Sequence, residues 1–164
     1  MPFLVWLAWF GVYLHSLSPG LGGEDSGEFA ATAVSLGISH PPGYPLMTLA
    51  GRLVSLVPLG SPAFRLNLFS ALCAAGALAL LYSLVRREAQ ARWGLGARSS
   101  GFIALVSASA LGFSQALWHQ AVISDKYPLN LLFFSAIIWS ATAGIRWELT
   151  AFLLGLGFSH HLQT

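Results

Sequence analysis

The sequence predicts an all-α, polytopic membrane protein, and three observations carry that reading. Hydrophobic residues fill 55% of the 164 positions and charged residues only 9%, with a mean hydropathy of +0.68; ordinary soluble domains carry about 25% charged residues. Uncharged stretches close to the ~20 residues that cross a bilayer recur along the chain. Between them stand short segments rich in Gly, Pro or Arg, which punctuate helices instead of continuing them.

The first stretch covers about 2–18 and is rich in Trp and Phe (Trp6, Trp9, Phe10), with Pro19-Gly20 ending it. No Lys or Arg precedes its apolar body and no A-x-A site follows, which favours a retained helix over a cleaved signal. An outer loop, 19–65, comes next and holds two shorter helical patterns. Ser26 to Leu36 sets Phe29, Ala33 and Leu36 on one face. Pro45 to Val57 opens with a proline at a helix start and carries Arg52. Its length suits an interfacial or re-entrant helix. The link between the two, His40-Pro41-Pro42-Gly43-Tyr44-Pro45, is stiff, because three prolines fix φ while Gly43 permits the turn. Further spans are expected at about 66–85, 99–117 and 129–145. A fifth begins near 149 and is still running at 164, so the chain reads as the N-terminal fragment of a longer protein, 1–164 being one part of a single transmembrane domain.

Arginine placement orients this arrangement. Arg86, Arg87, Arg92 and Arg98 fall together between the second and third spans, and short Lys/Arg-rich loops stay cytoplasmic. Alternation then sets 24–62 and 118–128 outside and Arg146 to Glu148 inside. Four of the six acids (Glu24, Asp25, Glu28 and Asp125) thereby share the outer face. The net charge of +2, without a Lys/Arg tract, excludes a nucleic-acid partner. The single cysteine, Cys73, lies in an apolar run and reads as packing, with no disulfide framework. His40, His119, His160 and His161 lack a spacing such as HExxH, so no metal is assigned from them. His161 and its neighbour could line a polar cavity.

The stretch Gly23 to Pro45 is the first to stop being oily: no Asp, Glu, Lys or Arg precedes Glu24. Acids beside an apolar span are held at a wet surface or kept for chemistry, since burying them in hydrocarbon is costly. Asp25 and Glu28, three apart before a helical pattern, fit a capping box. They equally fit a general base, Asp25, placed to take a proton from an attacking hydroxyl. The free N–H groups of the same helix start favour a phosphate. Arg52 and Arg65 are the arginines outside; both suit snorkelling to headgroups, and Arg65 suits a phosphate clamp. In the second outer turn, Trp118 and Tyr127 read as interfacial anchors, and Asp125 beside Lys126 as a solvated pair of little energetic consequence.

Taken together, Glu24-Asp25-Ser26-Gly27-Glu28, Leu36-Gly37-Ile38-Ser39-His40-Pro41-Pro42-Gly43-Tyr44-Pro45-Leu46, Gly51-Arg52-Leu53 and Arg65-Leu66-Asn67 resemble the N-terminal region of the protein O-mannosyltransferase-like membrane proteins. Trp118, Gln120-Ala121-Val122, Tyr127, Leu129-Asn130, Gly155-Leu156 and Ser159-His160-His161 extend the resemblance over nearly the whole chain. It implies a GT-C fold whose helical first extracytoplasmic loop bears the catalytic acid. It also implies an inverting enzyme, in a bacterial inner membrane, that takes a mannose-like sugar from a polyprenyl-phosphate carrier to a protein or glycan acceptor. Carried over residue by residue, Asp25 is the base and Glu28 supports it. Arg65 and His40 face the lipid phosphate, Tyr44 joins the substrate-binding set, and Asp125 forms a second acidic site. Family members usually show Glu and then an apolar residue before the tyrosine matching Tyr127; here Asp125-Lys126 stands there. A divalent cation is the one cofactor left open.

The physics agrees with that expectation. A sugar–phosphate bond already has a good leaving group, so the protein must supply placement, a base and charge stabilisation. A transporter or ion-coupled channel subunit is the rival, and a non-catalytic structural membrane subunit the third reading. Transporters place ionisable groups near the bilayer midplane and show repeats; here the acids sit at the edge and no repeat is visible.

Overall fold

In a computed structural model of the chain, residues 1–160 are described. Among them are eight helices and no strand: α1 (Pro2–His15), α2 (Ser26–Ser35), α3 (Pro45–Ser55), α4 (Pro62–Trp93), α5 (Ala97–Gly112), α6 (Gln115–Ala121), α7 (Lys126–Thr142) and α8 (Trp147–His160). The last four residues of the expected fifth span, and the expectation attached to His161, lie outside the described residues.

Helix α4 is the axis. Ser61 caps its start, the hydroxyl accepting from the Phe64 N–H at 3.1 Å, and Pro62 occupies the first turn where no amide partner is needed. Gly94, at φ 62°, closes it in the left-handed conformation. Between these ends Ala71, Ala74, Ala75, Ala77 and Ala79 are buried, and α1, α5 and α7 pack on α4. Side chains this small let backbones approach closely, which van der Waals packing between apolar helices requires. One core joins Val5, Trp9 and Tyr13 of α1 to Leu78 and Tyr82 of α4 and Ala104 and Ala108 of α5. A second joins Phe29, Ala33, Tyr44 and Met47 to Leu66, Cys73 and Leu129, and it lies under the acidic loop.

Of the described helices, α4 alone is long and apolar enough to cross a membrane. Helices α1 and α7 have 14 and 17 residues, below the ~20 of a full crossing. The expected stretch 99–117 is not one straight helix. It breaks after Gly112, and α5 and α6 meet at a 70° bend. Ser114 restarts the chain by accepting from the Leu117 N–H at 3.3 Å, a local cap that competes with continuing α5. The arginine-rich loop is also corrected: Arg86, Arg87 and Arg92 belong to the last turns of α4 and Arg98 to the first of α5. Glu88 pairs with Arg87 at 3.1 Å and Arg92 at 2.8 Å.

The two short loop helices form close to where the apolar spacing puts them, α2 ending one residue before Leu36 and α3 two before Val57. Leu36 leaves the expected face; it is the left-handed C-cap of α2 and is 54% exposed. The helices cross at Gly51, where an added Cβ would lie 2.9 Å from Ala33 Cβ.

Candidate functional site

The acidic loop is held in place by backbone acceptors before any acid is considered. Asn67 on α4, fully buried, donates from Nδ2 to the carbonyls of Ser18 and Gly20, both at 2.8 Å. The Ser18 N–H donates to the Val122 carbonyl at 3.0 Å. Gly22 lies so close to Ile123 that a Cβ there would meet its side chain at 2.5 Å. Ser26 returns a hydroxyl bond to the Gly22 carbonyl at 2.8 Å. The segments 18–26 and 122–123 are therefore joined beside α4.

On that base α2 presents Asp25 and Glu28. The capping box expected from their spacing does not form, for no side chain caps α2. Glu28 instead reaches to the next loop, where Oε1 accepts from the His40 N–H at 2.5 Å and Oε2 lies 2.8 Å from His40 Nδ1. The His40 ring bond holds the Glu28 carboxyl below the ordinary carboxylate range. Thr32 and Ser39 hydroxyls meet at 3.2 Å and the Gly37 N–H donates to the Thr32 carbonyl at 3.0 Å, which fixes the strap carrying His40. His40 Nε2 is 3.9 Å from Asp25 Oδ2.

Asp25 has a nearer partner. Lys126 Nζ donates to its Oδ2 at 2.6 Å, and this bond, opposed by partial burial, brings the Asp25 carboxyl below its usual value. Lys126 is the sequence's single lysine and is 7% exposed. Its ammonium lies 5.6 Å from the ring centres of Phe29 and Tyr44 and 5.1 Å from that of Tyr127, a cation–π box. Burial works to lower the Lys126 value, but the bond to Asp25 and the charges of Asp125 and Asp25 outweigh it and leave it raised. The solvated Asp125–Lys126 pair of the sequence reading is thus corrected: both residues are buried, and they point their charges to different places.

Tyr44, 3% exposed, starts α3 at φ 44° and stands edge-on to Phe29 at 5.4 Å and to His40 at 5.2 Å. Burial raises its phenol. Asp125 is 1% exposed and caps α7, its Oδ1 accepting from the Tyr127 N–H at 3.2 Å. Burial pushes its carboxyl up, and Oδ2 makes no hydrogen bond among the described residues. Glu24, with φ 56°, faces His119 at 3.9 Å. Asp25, Glu28, His40, Tyr44 and Lys126 accordingly form one cluster, with Asp125 buried beside it.

Arg65 is not brought there. Its guanidinium donates to the carbonyls of Leu59 and Gly60, both at 2.8 Å, and to that of Ser55, so it ties the end of α3 to the start of α4. No ion pair joins it to an acid among the described residues. Arg52 donates to the Val34 carbonyl at 2.8 Å, linking α3 to α2. Asp25, Glu28 and His40 each offer one ligand atom within 4.8 Å of the others, a spacing that would admit a cation. Such an ion would share those oxygens with the Lys126 ammonium and the His40 ring.

Sequence reasoning missed Lys126. The signal was there, since Lys126 is the one lysine in an otherwise arginine-only chain.

Comparison with known proteins gives the family of the chain. The family described as Protein O-mannosyl-transferase TMEM260 N-terminal domain matches residues 25–164, which begins at Asp25. The chain belongs to this family. Among relatives of the TMEM260 N-terminal domain, "Protein O-mannosyl-transferase TMEM260" of Mus musculus is 37% identical over 128 residues, 77% of this chain and 17% of the mouse protein. "Protein O-mannosyl-transferase tmem260" of Dictyostelium discoideum is 26% identical over 131 residues, 78% of this chain and 15% of that protein. The chain therefore spans about a sixth of the length of these TMEM260 relatives. No solved structure matches it.

Proposed function

We propose that this chain is the N-terminal part of a polytopic GT-C-type glycosyltransferase, which moves a mannose-like sugar from a polyprenyl-phosphate donor to a protein hydroxyl or another acceptor with inversion. The observation that carries the reading is the convergence of the partly exposed Asp25, Glu28 and His40, from one loop, over the buried Tyr44 at one edge of an apolar helix bundle. Family membership and the names of the relatives support it. In this reading the stretches 2–18, 66–85, 99–117, 129–145 and 149 onward lie in a bacterial inner membrane, and the loop 19–65 lies outside.

The reaction divides simply. The acceptor oxygen attacks the anomeric carbon from the face opposite the phosphate, and the carbon–oxygen bond to the phosphate breaks, its electron pair leaving with the lipid phosphate. The acceptor proton goes to Asp25, a role open to a positioned carboxylate in reach of the hydroxyl. Glu28 fixes His40, and His40 and Tyr44 face the donor. A cleft of about 580 Å³, walled by Leu117, Leu131 and Phe134 and edged by Gln120 and Asn130, shares Tyr127 with the box around Lys126. Its mixed lining suits an amphipathic donor.

The test is sugar transfer from polyprenyl-phosphate mannose by the full-length protein in nanodiscs. Asp25→Asn is expected to reduce kcat at least 100-fold, within the span general-base catalysis supplies. Turnover at the wild-type rate in that variant would remove Asp25 as the base.

A further inference from the structure

Resting on that reading, we propose that Lys126 is the positioning residue for Asp25: its boxed ammonium clamps Oδ2 and leaves Oδ1 turned out for the acceptor hydroxyl. Asp25 Oδ2 is held at 2.6 Å, while Oδ1 makes no hydrogen bond among the described residues and the side chain is 36% exposed. A carboxylate at a loop–helix junction otherwise rotates about χ1 and χ2, and an uncapped α2 gives it no local anchor.

The clamp is built from three elements. Phe29 from α2, Tyr44 from the start of α3 and Tyr127 from α7 surround the ammonium. The Lys126 carbonyl lies 2.9 Å from His160 Nε2, so α8 helps hold the backbone of the same residue. Asp125, one residue earlier, caps α7 and fixes the direction in which Lys126 leaves the helix. A merely solvated lysine would show none of these supports. Positioning of a reacting group to near-attack geometry is where a misplacement of about 1 Å costs of order 100-fold in rate.

The experiment compares Lys126→Arg, Lys126→Met and Asp25→Asn in the full-length protein, with polyprenyl-phosphate mannose and an acceptor peptide as probes. Thermal melting accompanies each variant. Positioning predicts that Lys126→Met lowers kcat by 30-fold or more, with the donor KM changed less than threefold. Lys126→Arg, which can still donate to Oδ2, should recover at least a tenth of the lost rate. Once Asp25 is already Asn, adding Lys126→Met should lower kcat less than threefold further, because the clamp then has nothing to orient. A Lys126→Met enzyme with wild-type kcat overturns the clamp. So does a loss confined to donor KM, which would make Lys126 a ligand for the donor, or additive losses in the double variant. If Lys126→Met fails to fold, Lys126→Arg with an Asp25→Asn background carries the same test. An Asp25→Asn enzyme that turns over normally would instead sink the base assignment itself, a separate result.

Discussion

Lys126 and Asp25 lie 101 residues apart in the chain and meet at 2.6 Å. That bond brings the start of α7 to the start of α2, and the Glu28–His40 bond next to it makes the loop's acids a linked set. Both carboxyls titrate below the ordinary range, Asp25 through Lys126 and Glu28 through His40. A lowered folded value means that the stabilisation is present above the unfolded carboxylate range of about 4 and is lost as pH falls through the folded values. Asp25→Asn/Glu28→Gln should therefore melt below wild type at pH 7, and the gap should close on acidification below pH 4. Melting curves across that range in detergent would check it, and both carboxylates being partly exposed keeps the effect modest.

Asp125 should behave in the opposite sense. Its carboxyl is raised by burial, so its ionised form opposes folding as pH rises through the folded value. Asparagine keeps an oxygen for the Tyr127 N–H and removes the charge. Asp125→Asn is expected to match or exceed wild-type stability at pH 7, whereas Asp125→Ala loses the cap and about 0.5–2 kcal/mol. Comparing the two melting temperatures separates cap from charge.

Gly22 and Gly20 offer a contrast two residues apart. A Cβ at Gly22 meets Ile123 at 2.5 Å, while one at Gly20 meets nothing within 4 Å. Gly22→Ala should cost about 1–3 kcal/mol by overpacking and weaken the junction of the two outer segments. Gly20→Ala should be close to neutral. Limited proteolysis of both variants would report the difference in the loop.

Arg65 is expected to matter for stability. Its guanidinium joins three carbonyl oxygens between α3 and α4. Arg65→Met should lower stability by about 1–3 kcal/mol, the scale of charge-assisted hydrogen bonds. Lysine, which lacks the planar fork, should restore less than half of that. Chemical denaturation of the two variants measures it.

Much of the helical order was legible in the residues. Apolar runs bounded by Pro19-Gly20 and by the proline opening α3 mark breaks that the helices obey, whereas α4 starts four residues before the expected 66–85 and runs eight beyond it. Local spacing also placed α2 and α3 within two residues of their ends. The bend after Gly112 was not anticipated, because Phe113-Ser114 continues an apolar pattern and only the Ser114 cap breaks it. At the site, Asp25, Glu28 and His40 were readable from proximity in sequence. Their partners were not. A capping box and a solvated Asp–Lys pair are the local defaults, and each was displaced by a bond across the fold that no short window contains.

Helix α4 has 32 residues, about 48 Å at 1.5 Å per residue, against a hydrocarbon thickness near 30 Å. In the proposed membrane setting, that surplus length would act as a lever. Ser70, on its third turn, receives the Asp125 N–H at 3.3 Å, and Arg86, Arg87 and Arg92 weight the far end. A thicker or thinner bilayer would tilt this rod against its arginine anchors and carry the Asp25 cluster up or down relative to the lipid headgroups. Under the proposed function, lipid acyl length would then tune how deeply the donor must rise to be met.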